Sequence, residues 1–248
     1  MTATMNSHKC HVSPHVNCSS CRLSALCLPI SLELEDIGKL EEIVQRGRPI
    51  HKTDRVYHAG DVFKAVYAVR SGAVKTVNVT HDGREQITGF YLPGEIIGMD
   101  GIATNYHTNS AIALETSAVC EIPFSRLEEL SSQLPNLQRR FFQLMSMEIA
   151  HDQQLITLLS KNSAEERIAA LLLSISSRNR SRGLSADEFY LPMSRSDMGN
   201  YLGLTIETVS RVMGRLHKQG VIALDKKHVV INNMKQLQDT SLQGDHNA

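Results

Sequence analysis

The sequence has no tryptophan, 5% aromatic residues and a formal net charge of zero. No stretch approaches the roughly 18 uncharged apolar residues of a membrane span, and the first thirty residues lack the apolar segment of a signal peptide. With 42% hydrophobic and 21% charged residues, the composition is typical of a globular protein rather than a disordered one. These absences argue against a membrane or secreted protein, and we expect a cytoplasmic one.

Catalytic motifs are also missing. The sequence contains no Ser-His-Asp, paired-carboxylate or phosphate-loop arrangement, so we predict that the protein is not an enzyme. Its neutral charge argues against wholesale binding to nucleic acid or membrane, but charge is unevenly distributed. Between residues 160 and 232 the sequence contains eleven Lys and Arg residues but only seven Asp and Glu residues. This basic segment is where a polyanion would bind.

The length of 248 residues favours two domains. From residue 50 to 123, short apolar runs alternate with turn signals such as Ser71-Gly72 and Pro93-Gly94. Such spacing predicts an antiparallel sandwich or jelly roll. After Pro123 no glycine occurs until Gly183, and the residues from 134 to 160 and from 164 to 177 predict helices. The residues after Met234 are polar, and we expect a frayed tail.

The longer helix carries an apolar seam that predicts pairing with another helix. Its members follow a spacing of three and four residues and include one acid: Phe142, Met145, Ile149, Asp152, Ile156 and Leu159. Two-fold pairing would bring the two copies of Asp152 together. Their repulsion at about 4–6 Å, with an effective dielectric near 20, is on the order of 3–4 kcal/mol before relaxation. Asp152 is therefore predicted to weaken the pair; the alternative is that its carboxylate simply points to solvent.

A helix-turn-helix is predicted near the C-terminus. Ser194 and Thr205 are good N-caps for helices at 195–202 and 206–218, and Gly203 suits a left-handed turn between them. A β-hairpin wing at 221–231 follows. The outer face of the second helix offers side chains that can bind base edges or phosphates, and with its cap the predicted DNA-binding set is Thr205, Glu207, Ser210, Arg211 and Arg215. An amphipathic helix pair with a solvated face is the alternative.

Three thiols are close together at Cys18, Cys21 and Cys27. In a chain without a signal peptide, metal or cluster ligation is more natural for such a group than a disulfide. A fourth ligand would have to be Cys10 or Cys120, although Cys120 by strand parity is also typical of a core cysteine. Spacing alone leaves zinc and iron–sulfur open. The histidines at positions 8, 11 and 15 are better explained as solvated residues than as zinc ligands.

Four segments taken together resemble the FNR and ANR regulators of the CRP superfamily. They are the Cys18-x2-Cys21-x5-Cys27 motif, residues 114–124 around Cys120, residues 85–90 (EQITGF), and residues 199–211 (GNYLGLTIETVSR). The resemblance spans residues 18 to 231. It implies an α+β fold with an N-terminal β-roll of jelly-roll type, similar to cyclic-nucleotide-binding domains, then a long dimerisation helix and a C-terminal winged helix-turn-helix. The implied segments are a cysteine-rich arm (1–29), the β-roll (30–130), the dimerisation helix (131–160), the DNA-binding domain (161–234) and a tail (235–248).

The resemblance also implies the function and its cofactor. Cys18, Cys21, Cys27 and Cys120 would ligate one 4Fe–4S cluster per subunit, with Cys10 outside the set. The homodimer would bind double-stranded DNA of the TTGAT…ATCAA type, read by Glu207, Ser210 and Arg211. Oxygen would convert the cluster to a 2Fe–2S form and then destroy it, and the dimer would dissociate. A zinc-stabilised or thiol-redox regulator with the same DNA-binding domain is the alternative.

Two further expectations concern partners. RNA polymerase would contact surface turns of the β-roll, with residues 70–72 and 80–84 as candidates. Cyclic-nucleotide sensors of the superfamily pair a Gly-Glu turn with an Arg-Ser step that holds the phosphate. Here Gly94-Glu95 is present, but the later step is Asn109-Ser110, which lacks a guanidinium for a bidentate clamp. We expect no cyclic-nucleotide ligand.

Overall fold

The computed structural model describes residues 17–80 and 82–242. Cys10, the three histidines at positions 8, 11 and 15, His81 and the last six residues of the tail lie outside the described residues. None of the helices in the described part combines the length and the apolar character that a bilayer span needs.

The β-roll consists of two antiparallel four-stranded sheets. The first has the order β1-β8-β3-β6 and the second β2-β7-β4-β5. The predicted jelly roll is thereby confirmed, with turns at glycines as expected. The strands are β1 (Gln45–Arg46), β2 (Arg55–Tyr57), β3 (Ala65–Ser71), β4 (Val74–Val79), β5 (Glu85–Tyr91), β6 (Ile96–Ile97), β7 (Ser110–Ala113) and β8 (Ala118–Pro123).

Two helices that the sequence patterns did not indicate flank the β-roll. They are α1 (Leu34–Ile43) before the first strand and α2 (Phe124–Gln133) after the last. Each has only ten residues and buries two side chains, Leu40 and Ile43 in α1 and Leu127 and Leu130 in α2. A hydrophobic stripe of this size is too short to stand out in a sequence, and packing against the sheet stabilises it.

The long helix α3 (Pro135–Lys161) and the following helix α4 (Ala164–Ser181) are close to prediction. Proline occupies the first turn of α3, where its missing N–H costs nothing. Helix α4 begins at a capping box, since the Ser163 hydroxyl accepts from the backbone N–H of Glu166 and the Glu166 carboxylate accepts from that of Ser163. The sharp break between the helices therefore has a local cause.

The C-terminal domain contains β9 (Glu188–Tyr190), α5 (Arg195–Leu202), α6 (Ile206–Lys218), β10 (Ile222–Asp225), β11 (His228–Ile231) and α7 (Met234–Leu242). Its sheet has the order β10-β11-β9, so the predicted wing gains a third strand. The expectation of a frayed tail directly after Met234 is wrong for residues up to 242. Helix α7 forms there because Leu237 is fully buried, and the helix packs against α4.

The C-terminal domain also packs against the second sheet of the β-roll. The rings of Phe90 and Tyr201 lie 4.9 Å apart, and Lys75 Nζ is 2.6 Å from Asp197 Oδ1. The Asn200 side chain donates to the carbonyl of Glu85 and accepts from the backbone N–H of Ile87. Helix α5 is thus fixed to the edge strand β5 by hydrogen bonds as well as by apolar contact.

The tight turn at Gly72 generates a stability prediction. This glycine has φ +76°, and an added Cβ would lie 2.3 Å from the Ser117 hydroxyl oxygen. We expect Gly72→Ala to lower the free energy of unfolding by about 2–5 kcal/mol, from left-handed strain and from overpacking together. Gly60→Ala is the control, since Gly60 has φ +88° with open space around it, and strain alone costs about 1–2 kcal/mol. Equal losses in urea denaturation would contradict the proposed steric contact.

Candidate functional site

Consecutive turns place three cysteines on one side of the arm. The backbone N–H of Cys21 donates to the carbonyl of Cys18, and that of Cys27 donates to the carbonyl of Leu23. Cys27 then precedes a short 3-10 helix, Leu28–Ser31, with proline in its first turn. The local hydrogen bonds coil the segment, so residues three and six positions apart face a common space.

The fourth cysteine reaches that space from the β-roll. Cys120 lies in the middle of β8, opposite Arg46 of β1 on one side and Ala68 of β3 on the other. It is half-buried, and it lines one pocket together with the three arm cysteines. The remaining walls of the pocket are largely aliphatic and include Leu28, Leu40, Val44, Val69 and Ile122. The arm and the sheet therefore contribute thiols to the same pocket.

All four of these cysteines are free. Burial raises the pKa of the Cys27 thiol to about 12 and also raises those of Cys18 and Cys120. Within residues 17–80 and 82–242, no three Cys, His, Asp or Glu side chains converge closely enough to chelate one metal ion. A metal or cluster bound by these thiols would require their deprotonation.

Two contacts join the arm to the first turns of α3. Arg140 Nη2 donates to the carbonyl of Leu26 at 2.5 Å, and the Ser31 hydroxyl donates to the carbonyl of Asn136 at 3.2 Å. The partners are more than one hundred residues apart in sequence. Sequence patterns carry no signal for such contacts, and the sequence analysis did not find them.

The predicted seam residues of α3 differ in their exposure. Phe142, Ile149 and Ile156 are 56%, 59% and 66% exposed and recur every seven residues. Asp152 is exposed on the same helix. Met145 instead packs against the β-roll core, and Leu159 is half-buried. Three large apolar side chains of the seam therefore remain in contact with solvent in the single chain, and Met147 of the same helix is 61% exposed beside them.

The helix-turn-helix has the predicted boundaries and caps. Ser194 and Asp197 form a capping box at α5, Gly203 has φ +64°, and the Thr205 hydroxyl accepts from the backbone N–H of Thr208 at the start of α6. The inner face of α6 is buried at Val209, Val212, Met213 and Leu216, also as predicted. The turn that Gly203 permits sets the angle between the two helices.

The outer face of α6 is exposed at every residue of the predicted DNA-binding set. Hydrogen bonds from its own backbone N–H and from the Thr205 hydroxyl lower the pKa of the Glu207 carboxyl, so this acceptor is ionised at neutral pH. Arg211 makes one long contact, 3.4 Å from the Thr208 hydroxyl, and can reorient. Arg215 is held instead by an ion pair of 2.7 Å with Glu165 of α4. Arg215 thus has a structural partner that the sequence did not reveal.

The Glu95 carboxylate of the β-roll is already engaged within the chain. It accepts hydrogen bonds from Arg178 and from the backbone N–H of Leu92, and it lies 3.7 Å from Arg182. Asn109 has its backbone N–H bonded to Asp100 and carries no positive charge. The two positions that suggested a comparison with cyclic-nucleotide sensors therefore form no anion clamp.

A jelly-roll domain followed by a long helix and a winged helix-turn-helix defines a class of DNA-binding transcription regulators. Residues 48–133 match the family model described as "Cyclic nucleotide-binding domain". Residues 166–240 match the family model described as "Crp-like helix-turn-helix domain". The chain belongs to the CRP/FNR family, as its relatives show.

Over 90% of its length, the chain is 53% identical to "Transcriptional activator protein anr" of Pseudomonas aeruginosa, and the match covers 91% of that protein. It is 48% identical to the "Fumarate nitrate reduction regulatory protein" of Klebsiella oxytoca, over 88% of this chain and 87% of the relative. The solved structure of FixK2 from Bradyrhizobium japonicum aligns with a TM-score of 0.73 and 31% identity, over 80% of this chain and 97% of FixK2. The predicted resemblance and fold class are confirmed.

Proposed function

We propose that this protein is an oxygen-responsive transcription regulator. As a homodimer, it binds palindromic promoter DNA of the TTGAT…ATCAA type while each subunit holds an intact 4Fe–4S cluster. The observation that carries the proposal is the pocket in which three arm cysteines and Cys120 meet, next to the start of α3. The relatives named for anaerobic or fumarate–nitrate regulation support it.

The donor set fits such a cluster. A cubane binds one thiolate per iron, and the four thiols of Cys18, Cys21, Cys27 and Cys120 line a single pocket. Aliphatic walls limit solvent access, which helps to determine how such a group reacts. The pocket shared by four thiols is the reason for proposing the cluster, and zinc bound by the same thiols is the alternative.

Cys18, Cys21, Cys27 and Cys120 would hold the cluster, and its iron–thiolate bonds would join the arm to the β-roll for as long as oxygen is absent. The arm residues then determine the position of α3, because Arg140 and Ser31 connect the arm to the first turns of that helix. A fixed arm holds α3 in the orientation that lets its exposed Phe142, Ile149 and Ile156 meet those of a second subunit. Release of the arm removes that constraint, and the subunits separate.

The dimer is needed for DNA recognition because a palindrome presents two identical half-sites. One α6 helix enters each major groove. There Arg211 donates to guanine O6 and N7, the ionised Glu207 accepts from cytosine N4, and Ser210 contacts a base edge or phosphate. Thr205 lies at the N-terminus of α6, where backbone N–H groups favour phosphate. Arg215 binds phosphate when it is released from Glu165.

The remaining partners follow from the surface of the β-roll. RNA polymerase contacts its exposed turns, with residues 70–72 and 80–84 as the candidates; His81 of the second turn lies outside the described residues. Cyclic nucleotides are not ligands, since the charge of Glu95 is already paired with Arg178 and Asn109 offers no guanidinium. We place the protein in the cytoplasm, where promoter DNA and reducing conditions are found, and assign it no membrane partner and no enzymatic activity.

Purification without oxygen tests the proposal directly. We expect a brown protein with about four irons and four sulfides per chain, since each of four thiolates binds one iron. Exposure to air should bleach the visible absorption, halve the mass measured by light scattering and release the palindrome. A colourless dimer that binds DNA equally in air would overturn the oxygen switch, and bound zinc in that protein would support the alternative regulator.

Base reading is tested at Arg211. We expect Arg211→Ala to weaken anaerobic binding to the palindrome about 10- to 100-fold, since a bidentate contact to guanine is worth about 1–3 kcal/mol. The loss should be smaller for a palindrome changed at that base pair. Lys218→Ala is the control, because an exposed lysine at the end of α6 should affect specific and non-specific DNA alike. Equal effects of Arg211→Ala on both DNAs would contradict base reading.

The predicted repulsion between the two copies of Asp152 in the dimer is tested by substitution. Removal of two facing carboxylates relieves a repulsion on the order of 3–4 kcal/mol, so we expect Asp152→Ala to remain dimeric and to bind DNA in air. Gln153→Ala is the matched control, being an exposed neutral neighbour on the same helix. The mass of both variants in air is measured by sedimentation. A monomeric Asp152→Ala protein would show that the charge of Asp152 is not what prevents dimerisation in air.

A further inference from the structure

An ion pair between a residue of α1 and a residue of β1 holds Cys18 of the arm. Glu41 Oε2 accepts a hydrogen bond of 2.5 Å from the backbone N–H of Cys18. The other carboxylate oxygen, Oε1, lies 2.6 Å from Arg46 Nη1. The Glu41 carboxylate thus connects Cys18 of the arm to Arg46 of the β-roll.

The arginine of this pair lies between two cysteines that are distant in sequence. Arg46 is directly opposite Cys120 in the pairing of β1 with β8. Its Nη2 lies 3.8 Å from the sulfur of Cys18, and it lines the pocket with both. Arg46 therefore contacts Cys18 through its guanidinium and lies opposite Cys120 through the strand pairing of its backbone.

Burial distinguishes this pair from an ordinary surface ion pair. The side chains of Arg46 and Glu41 are 21% and 26% exposed, and the guanidinium makes contacts with two different partners. An exposed pair contributes about 0–1 kcal/mol, whereas removal of one member of a largely buried pair leaves a charge without its partner. Helix α1 also carries the pair Asp36–Lys39 at 2.9 Å, in which Lys39 is 53% exposed and neither residue lines the pocket.

We propose that Glu41 and Arg46 are positioning residues for the cluster ligands: they fix Cys18 relative to Cys120 and so set how long the cluster survives exposure to oxygen. This inference rests on the proposed function. Neither residue is a ligand, since Glu41 binds the backbone of Cys18 and Arg46 is a cation. Without the pair, the first turn of the arm loses its hydrogen bond to α1 and its contact with the Arg46 guanidinium, and Cys18 departs more readily.

The test compares cluster lifetimes in intact protein loaded without oxygen. Arg46→Met keeps the apolar stem but removes the charge and the contacts to Glu41 and Cys18. Loss of groups that orient metal ligands reduces metal affinity about 10- to 100-fold. We therefore expect visible absorption to decay about 10-fold faster in Arg46→Met than in the wild type, both in air and with an iron chelator in the absence of oxygen. Glu41→Ala should behave in the same way.

Conservative variants separate positioning from folding. Glu41→Gln keeps an acceptor for the Cys18 N–H, and Arg46→Lys keeps the charge, so we expect lifetimes between those of Arg46→Met and the wild type. Should Glu41→Ala or Arg46→Met not fold, as judged by the thermal unfolding of metal-free protein, these two variants carry the test. Asp36→Asn removes the second ion pair of α1, which lies outside the pocket, and should leave the lifetime unchanged.

The outcomes distinguish this inference from the function on which it rests. A wild-type protein that takes up no iron overturns the cluster proposal and the positioning role with it. A wild-type protein with a normal cluster, together with Glu41 and Arg46 variants that decay at the wild-type rate, overturns the positioning role alone. A decay in Asp36→Asn as fast as that in Arg46→Met would show a general effect of α1 and would also overturn it.

Discussion

The pairing of β8 with both β1 and β3 is the constraint on which the candidate site depends. It places Cys120 in a sheet interior, between Arg46 and Ala68, more than ninety residues after the last arm cysteine in sequence. The arm then has one surface on which it can bury Leu28, and packing there brings its thiols to the same pocket. Antiparallel register allows no partial shift, since a slip of one residue would turn Cys120 to the other face.

In the proposed mechanism, the same constraint connects loss of the cluster to α3. The arm contacts the β-roll through Leu28 and Glu41, and it contacts the long helix through Arg140 and Ser31. It is therefore a connecting layer between sheet and helix rather than an appendage. Any change that loosens its attachment to the sheet alters the support of the first turns of α3. That coupling requires only contiguous contacts, with no rearrangement of the β-roll core.

Sequence reasoning succeeded where signals were local. The caps Ser194 and Thr205 and the left-handed Gly203 fixed the helix-turn-helix to the residue, because each acts on backbone groups within one turn. It failed for the short helices α1 and α2, whose formation depends on packing. For Cys120, strand parity indicated a face but not what covers that face, so the residues alone left core cysteine and ligand both open. The resemblance, not the spacing, supplied the four-cysteine set.

The strength of the proposed dimer follows from the few side chains that α3 leaves in solvent. Full burial of a Phe or Ile side chain contributes about 1.5–3 kcal/mol, and Phe142, Ile149 and Ile156 are already about half or a third buried. Two copies of these three side chains therefore supply several kcal/mol. Association costs about 4–15 kcal/mol in lost translational and rotational freedom. Since the terms are of similar size, a repulsion of a few kcal/mol between two Asp152 carboxylates would be enough to oppose pairing, and in the proposed mechanism the position of α3 set by the arm decides whether the dimer forms.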